Sequence, residues 1–250
     1  MKHIASCSFG ADSTASVLLA IENQEPLDEA VYCEVMFDSN TSGEVPEHQE
    51  FIYEKAIPYF KEHGIKTQVL RSNWTYIDHF TARITRGERK GKIRGFPICG
   101  TCSICRDCKL PPIKAYIKAL PSDAVQYIGI ASDEQERLFR LDAQRISLLD
   151  KYGFTQAGAR WIAKRHGLLS PIYEFAPRNG CFFCPNAKEP ELRHLYDHHK
   201  DLWQRLLDLQ ALPNKVSELF NRTMRFSEWD DKFYWDDRQI SIFDCEEVNT

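Results

Sequence analysis

The amino-acid sequence lacks any long hydrophobic run. No apolar stretch approaches the roughly 18–20 residues that a membrane-spanning helix needs, so we expect no membrane partner. Residues 1–4 also lack the apolar segment of a secretory signal and lead directly into a strand-like sequence. These two absences predict a cytoplasmic protein.

The sequence also has no excess of basic residues. Its 32 lysines and arginines are outnumbered by 36 aspartates and glutamates, which gives a formal net charge of −4. This balance argues against a generally basic nucleic-acid-binding surface, although a local basic patch is compatible with it. A length of 250 residues with 43% hydrophobic content provides for a sizeable core.

Cysteine, in contrast, is abundant, with nine residues in the chain. Disulfides are rare in the reducing cytosol, and six of the nine fall in two tight groups, which indicates a metal site rather than cross-links. The other three are interpreted as buried or incidental thiols. The two groups are Cys99, Cys102, Cys105 and Cys108, followed by Cys181 and Cys184; the isolated cysteines are Cys7, Cys33 and Cys245.

Alternating strand and helix patterns predict an α/β fold, a mostly parallel twisted sheet flanked by helices. We expect strands before residue 8 and at 30–37, 66–70 and 124–130. Helices are expected at 16–21, 48–63, 113–119, 156–166 and 189–210, and residues 134–150 are expected to be largely helical. Thr155 is the candidate N-cap of the helix at 156–166. We divide the chain into a nucleotide-binding α/β domain (1–180) and a C-terminal helical segment (181–250) that contributes metal ligands.

The first strand and first helix are joined by a loop of small and hydroxyl residues. Such a strand–turn–helix layout directs backbone N–H groups and a helix N-terminus at an anion. Gly10 allows close approach of the backbone, Ser8 and Ser13 can donate hydroxyl groups, and Asp12 can cap the helix or help to hold a metal ion. The alternative is an ordinary turn with a serine cap. Asp38 and Glu134 follow two other predicted strands, at the sheet edge where ligands collect.

The stretch from Arg83 to Arg94 is strongly basic, with six lysines and arginines in twelve residues. Two glycines and a single acidic residue suggest a mobile, exposed loop. It is either a solvated surface loop or an arm that contacts the phosphates of a nucleotide or nucleic acid.

The cysteine groups favour a thiophilic metal site. Two Cys-x-x-Cys pairs far apart in sequence are the usual spacing for zinc, and the same arrangement holds [4Fe–4S] clusters. Six cysteines exceed the four ligands that either site needs. We select Cys105, Cys108, Cys181 and Cys184 as ligands, and Cys99 and Cys102 are substitutes or sulfur-handling thiols.

Four segments, taken together, resemble motifs of the phosphoadenosine phosphosulfate reductase family, within the PP-loop ATP pyrophosphatases. The similarity extends from about Ile4 to Trp203. Residues 180–186 look more like reductase-related proteins of mobile elements and like the ATP pyrophosphatase of DNA phosphorothioation systems, which carries an iron–sulfur cluster. The four segments are Ser8 to Ser13 (Ser-x-Gly-x-Asp-Ser), Phe37 to Glu47, Arg106 to Ile113, and Gly129 to Glu134.

The resemblance implies an adenine nucleotide alpha hydrolase-like fold and cleavage of ATP between its α and β phosphates, with Mg²⁺. AMP would be transferred to an acceptor that is thereby activated for sulfur transfer, in DNA phosphorothioation or nucleic-acid thiolation. An iron–sulfur cluster is favoured over zinc. The implied catalytic residues are Asp12, Asp38, Lys109 and Glu134, and the implied nucleotide-binding residues are Ser8, Phe9, Gly10, Ala11, Asp12, Ser13, Arg137 and Arg140.

Departures from the family pattern keep two other functions open. Ala11 stands where many members have lysine, Ala131 replaces an arginine, and the C-terminal Glu-Cys-Gly-Ile-His segment of the thioredoxin-dependent reductases is missing. The alternatives are a sulfonucleotide reductase acting on an adenylyl sulfate, and a non-catalytic, metal-stapled nucleotide-binding module. For the leading function, the expected partners are a cysteine desulfurase or other sulfur donor, and DNA or RNA bound through the basic stretch.

Overall fold

The computed structural model describes residues 1–97, 102–177 and 180–238. The chain forms two compact units, each built from two segments. The first unit comprises Met1–Asp78 and Ile104–Cys181, and the second comprises His79–Ser103 and the chain from Phe182 onward. Within the described residues, no helix combines the length and apolar character needed to span a membrane.

A five-stranded, fully parallel sheet forms the centre of the first unit, which confirms the α/β fold class. The strand order β3-β2-β1-β4-β5 means that the chain first builds outward from β1 on one side and later returns to its other side. The crevice at the carboxyl ends of β1 and β4 is therefore the switch point where ligands bind in such sheets. The strands are β1 (His3–Ser6), β2 (Glu29–Glu34), β3 (Lys66–Arg71), β4 (Val125–Ile128) and β5 (Arg145–Ile146).

Helices cover the sheet, and the first of them, Ala11–Glu22, is the most deeply buried. Its Val17, Leu18 and Leu19 are inaccessible or nearly so and join one apolar core with Tyr32 of β2 and Ile162 of the helix Gln156–Arg165. The helical elements are α1 (Ala11–Glu22), α2 (Pro46–Glu50), a π-helix (Phe51–Ala56), α3 (Ile57–Glu62), α4 (Tyr76–Thr81), a π-helix (Cys105–Lys109), α5 (Leu110–Lys118), α6 (Gln135–Leu138), α7 (Leu148–Lys151), α8 (Gln156–Arg165) and a 3₁₀ turn (Pro171–Glu174).

The expectation that residues 134–150 are largely helical is wrong. This stretch contains two short helices, α6 and α7, with strand β5 between them. Asp142 explains the interruption, because its side chain accepts hydrogen bonds from the backbone N–H groups of Gln144 and Arg145 and so competes with helical hydrogen bonding. The carbonyl of Gln144 then accepts from the N–H of Gln126 on β4, which adds this segment to the sheet.

The second unit is built around aromatic side chains on three helices, α9 (Glu189–His198), α10 (Lys200–Ala211) and α11 (Phe226–Asp236). The single helix expected over 189–210 is interrupted at His199, whose backbone leaves the helical region. Trp203 packs 4.3 Å from Phe226 between ring centroids and donates to Asp230 at 2.7 Å. The aromatic-rich segment Phe226–Asp236 is thus a packed helix.

The basic stretch belongs to this second unit and is exposed, as expected, but its backbone is paired. Arg83 and Ile93 form an antiparallel bridge, and the N–H of Ile93 donates to the carbonyl of Asn214. Residues 79–103 therefore cluster with the C-terminal part of the chain. The division at residue 180 into a nucleotide-binding domain and a ligand-contributing segment remains a prediction.

Candidate functional site

The loop between β1 and α1 is shaped by Ser13. Its hydroxyl oxygen accepts from the N–H of Ser8 at 3.1 Å and donates to the carbonyl of Gly10 at 3.1 Å. The hydroxyl groups of Ser8 and Ser13 are 3.4 Å apart. Ser13 thus folds the loop back over the first turn of α1, and Gly10 is the N-cap residue of that helix.

Phe9 holds the loop through an unusual backbone conformation. Its φ is +57°, in the left-handed region that a bulky residue rarely adopts. The side chain is fully buried, 5.2 Å from the ring of Tyr32 and 5.6 Å from that of Phe60. Phe9, proposed as a nucleotide-binding residue, can therefore offer a ligand only its backbone, while its side chain anchors the loop in the core.

Gly129, at the end of β4, permits close contact with the start of α1. A Cβ atom at this position would lie 2.7 Å from both the nitrogen and the Cα of Ser13, a distance that real Cβ atoms do not tolerate. The end of β4 is thus packed directly against the helix start, and the chain after it, residues 130–134, is brought to the loop.

Three carboxylates and two arginines interact electrostatically at this edge of the sheet. Burial and the nearby charge of Glu134 raise the pKa of Asp12, Asp133 acts in the same direction, and Arg137 and Arg160 oppose them. Glu134 pairs with Arg137 and accepts from the N–H of Ala131 at 3.2 Å. Carboxylate oxygens near a helix N-terminus are suited to hold Mg²⁺ beside phosphates.

Tyr173 and Arg160 belong to this site and were missed by the sequence analysis. The N–H of Ala11 donates to the hydroxyl of Tyr173 at 2.7 Å. The Arg160 guanidinium lies 5.0 Å from the centre of the Tyr173 ring and donates to the carbonyl of Pro177 at 2.8 Å. No local sequence signal identifies a contact between residues 162 positions apart.

Two residues that the family resemblance implies for the site, Asp38 and Arg140, make hydrogen bonds within their own local turns. One carboxylate oxygen of Asp38 accepts from the N–H groups of Asn40 and Thr41 at 2.8 and 2.7 Å, so this side chain organises its own turn. The carbonyl of Arg140 accepts from the guanidinium of Arg145. Among the described residues, the cations with the largest effect on Asp12 are Arg137 and Arg160. Roles for Asp38 and Arg140 stay predictions.

A second cluster of the first unit surrounds Lys109. Burial alone would lower the pKa of this ammonium, but Glu44 and the thiols of Cys181, Cys33 and Cys105 more than offset it and raise the pKa. Cys33 approaches the carbonyl of Lys109 at 3.5 Å, and burial raises the pKa of its own thiol to about 11. Two of the selected ligands, Cys105 and Cys181, are therefore close enough to act on one cation although they are remote in sequence.

Glu44 is buried beside this cation and accepts from the Tyr32 hydroxyl at 3.2 Å. The segment at Gly180 passes directly over it, because the N–H of Val45 donates to the carbonyl of Gly180 at 2.6 Å and Glu44 forms a bridge with Cys181. A Cβ atom at Gly180 would lie 2.2 Å from a carboxylate oxygen of Glu44, so any larger residue here would force the Glu44 side chain to move.

The other cysteines of the two groups differ in environment. Cys108 is fully buried at the end of the π-helix, with its sulfur 3.9 Å from the carbonyl of Thr75. Cys184 and Cys102 are half-buried residues of the second unit, and Cys99 and Cys245 lie outside the described residues. The grouping of Cys105 and Cys181 near Lys109 and Glu44 fits the thiolate donors that zinc and iron–sulfur sites use.

His48 lies beside both the loop and the Glu44 region, and sequence reasoning missed it. Its Nδ1 is 2.8 Å from the hydroxyl of Ser170, and the backbone of Ser8 is its second hydrogen-bonding partner. Burial lowers the pKa of this histidine, although Glu44 and Ser8 act in the other direction. A buried neutral imidazole thus fixes the loop to the 170–173 turn.

The comparisons with known proteins add little. No protein-family model and no curated protein matches the sequence. Among solved structures, the chain is similar to the U34-tRNA thiolase NcsA from Methanococcus maripaludis with its [4Fe–4S] cluster, at 13% sequence identity and a TM-score of 0.41. That alignment covers 100% of this chain and 76% of NcsA. A similarity of this size does not establish a common family or function.

Proposed function

We propose that this protein is an ATP pyrophosphatase that activates an acceptor by adenylylation for sulfur transfer, with a nucleic acid as the acceptor. The observation that carries the proposal is the placement of the residue 7–13 loop at the β1–β4 switch point with the carboxylates of Asp12 and Glu134 beside it. This is an anion-binding backbone combined with ligands for a divalent cation.

In this proposal the loop binds the pyrophosphate part of ATP. The hydroxyl groups of Ser8 and Ser13 and the amides of the α1 N-terminus other than that of Ala11, which bonds to Tyr173, serve as preorganised donors. Asp12 and Glu134 would hold Mg²⁺, which when bound would offset the negative charge of the leaving group. Gly129 lets β4 pack against the start of α1, because a Cβ there would displace Ser13, and a Cβ at Gly10 would lie 3.3 Å from the Tyr173 hydroxyl.

The proposed reaction is an in-line substitution at the α-phosphorus. An acceptor oxygen forms the new bond to phosphorus, the bond to the oxygen that bridges the α and β phosphates breaks, and pyrophosphate leaves with that electron pair. The adenylylated acceptor then reacts with a sulfur nucleophile and releases AMP. No change of oxidation state is required in the activation step.

The selected cysteines are proposed to form a metal site that serves the sulfur-transfer step. Cys105, Cys108, Cys181 and Cys184 would bind a [4Fe–4S] cluster, with zinc as the alternative and Cys102 or Cys99 as a substitute ligand. When bound, such a group braces the fold or carries sulfur for the transfer. Lys109 and Glu44 belong to the protein side of that site, where the buried Glu44 carboxylate and the Lys109 ammonium offset each other's charge.

The basic stretch is proposed to contact the nucleic acid. Its arginine and lysine residues are exposed, apart from the half-buried Arg94, while its backbone is paired, so the charges are presented on an ordered scaffold. Contacts of this kind weaken with rising salt in proportion to the number of phosphates neutralised. Binding of a transfer RNA or a DNA duplex should accordingly fall steeply between low and physiological salt.

The decisive experiment measures pyrophosphate release from ATP, with Mg²⁺, a cysteine desulfurase and nucleic acid present. Asp12→Ala and Ser13→Ala should abolish release while circular dichroism shows an unchanged fold. Full activity in both variants would contradict the catalytic assignment. Release of sulfite from an adenylyl sulfate in the presence of a thiol reductant would instead identify a sulfonucleotide reductase.

Metal analysis of anaerobically purified protein tests the cofactor separately. We expect about four irons and four sulfides per chain, with losses in Cys105→Ala and Cys181→Ala. Cys33→Ala is the matched control, since this thiol lies in the same cluster but outside the selected ligands. A single tightly bound zinc without iron would make the cysteines a structural site.

A further inference from the structure

The proposed nucleotide site has an imbalance of charge. The carboxylates of Glu134 and Asp133 act on that of Asp12, which places three negative charges where a polyphosphate would have to bind. The cations with the largest effect on Asp12 among the described residues are Arg137 and Arg160. Besides the loop donors, a tetra-anionic nucleotide therefore needs these two arginines and Mg²⁺ to offset its charge.

Arg137 is already committed to a carboxylate. It forms a hydrogen-bonded ion pair with Glu134 three residues earlier, so its charge compensates Glu134 first. Arg160 has a different environment, because its guanidinium lies over the Tyr173 ring and bonds to a backbone carbonyl of Pro177. A guanidinium has further N–H donors after one such bond, and its planar fork matches two phosphate oxygens.

Tyr173 directs this arginine to the loop. The hydroxyl of Tyr173 accepts the N–H of Ala11 at 2.7 Å, so the ring under Arg160 is fixed to the start of α1. The start of α8 is fixed as well, since the N–H of Gln156 donates to Asp133 at 3.2 Å. Arg160 is thus attached to the loop through its ring contact and through the helix that carries it.

We propose that Arg160 binds the terminal phosphates of ATP and that Tyr173 is its positioning residue. The inference rests on the proposed function and assigns a cation that the sequence did not identify. It also assigns a specificity, because the residue distinguishes a nucleoside triphosphate from a monophosphate.

The test is the equilibrium affinity of the full-length protein for ATP and for AMP, by calorimetry, with Mg²⁺. Arg160→Gln should weaken ATP binding by about tenfold or more, the range for a lost hydrogen bond to a charged group, and leave AMP binding unchanged. Arg160→Lys should recover part of the loss because it keeps the charge without the planar fork. Arg165→Gln is the matched control, on the same helix but engaged with Glu22 and Trp161.

Tyr173→Phe tests the positioning role. It keeps the ring under Arg160 and removes the hydroxyl, so ATP affinity should fall by less than in Arg160→Gln. The loss of ATP-binding free energy in the double variant should be smaller than the sum of the losses in the two single variants, because both residues act through one phosphate contact. A purely structural role for Tyr173 would instead weaken ATP and AMP binding equally.

The outcomes separate this inference from the function that it rests on. A wild-type protein that binds neither nucleotide overturns the proposed function together with the assignment. A wild-type protein that binds ATP, with an unchanged ATP-to-AMP ratio in Arg160→Gln, overturns the Arg160 assignment alone. If Arg160→Gln does not fold, the same ratio measured in Arg160→Lys decides, and an unchanged value there overturns the assignment.

Discussion

Asp12 shows at the scale of one residue how the site conflicts with stability. Burial and then the charge of Glu134 raise the pKa of this carboxyl above its ordinary value of 3.8. A raised pKa in the folded state means that the folded protein binds a proton more readily than the unfolded chain. The stabilising contribution is therefore complete below pH 3.8 and is lost as the pH rises through the folded pKa.

Asp12→Asn should accordingly raise the melting temperature at pH 7 while it abolishes pyrophosphate release. The gain should shrink as the pH is lowered toward 4, where the wild-type carboxyl becomes neutral too, and a pH series of thermal melts measures this. Asp38→Asn is the control with the same change of charge. Its carboxylate accepts hydrogen bonds from Asn40 and Thr41, so no stabilisation is expected. An Asp12→Asn protein less stable than wild type at pH 7 would contradict the argument.

Site residues that lie far apart along the chain could not be predicted from the sequence. The loop around Gly10 and Ser13 was recognisable because its residues are contiguous. Arg160 and Tyr173 were not, since only the fold brings them to the loop. The requirement for glycine at Gly129 was equally hidden, because it depends on the packing of β4 against the start of α1.

At the scale of elements, side-chain caps decide where the short helices begin. Thr155, predicted as the N-cap of α8, accepts the N–H of Gly158 at 3.2 Å. Ser147 caps α7 by accepting from Asp150 at 3.1 Å, and its buried hydroxyl also donates to the carbonyl of Ile130 at 2.5 Å. The Thr155 hydroxyl therefore makes one hydrogen bond within its own helix. The Ser147 hydroxyl makes two and links α7 to the chain after β4.

This difference predicts the order of two substitutions. Thr155→Ala should lower the free energy of unfolding by about 1 kcal/mol, the usual value of an N-cap. Ser147→Ala should lower the free energy of unfolding by about 1–3 kcal/mol more than the loss of a cap alone, because it also leaves the buried carbonyl of Ile130 without its donor. Urea denaturation of both variants measures the order, and a larger loss for Thr155→Ala would contradict the roles given to the two hydroxyl groups.

The elements themselves were predictable where one periodic pattern dominates. The core strands and α8 follow the expected segments closely, and the Thr155 cap was visible in the sequence. Strand β5 was not, because it has two residues and exists only through its pairing with β4. The turn at Asp142 that creates it uses side-chain bonds that a charge pattern does not reveal.

At the scale of the whole molecule, the second unit consists of two segments far apart in sequence. Phe80 and Phe96 of the first segment are buried, and Phe96 packs 5.1 Å from Phe220 and 6.3 Å from Phe226 of the second. The two segments complete one aromatic core. A boundary at residue 180 would separate its halves.

A fragment of residues 1–180 should therefore be poorly soluble and bind a hydrophobic dye, although its parallel sheet is complete. In that fragment the rings of Phe80 and Phe96 are exposed, because the aromatic residues that cover them are missing. Replacing both by serine should therefore improve the solubility of the fragment. The same substitutions in the full chain should destabilise it. A soluble wild-type fragment that binds no dye would show that residues 79–103 do not need the C-terminal part of the chain.

The pairing of Ile93 with Asn214 and Lys215 also has a consequence during synthesis on the ribosome. The basic stretch leaves the exit tunnel long before its pairing partners are translated. At about 5–20 residues per second the wait is on the order of ten seconds, during which Phe80 and Phe96 have no aromatic core to join. Slower translation of the C-terminal third, or depletion of nascent-chain chaperones, should therefore lower the yield of this protein more than its equilibrium stability would suggest.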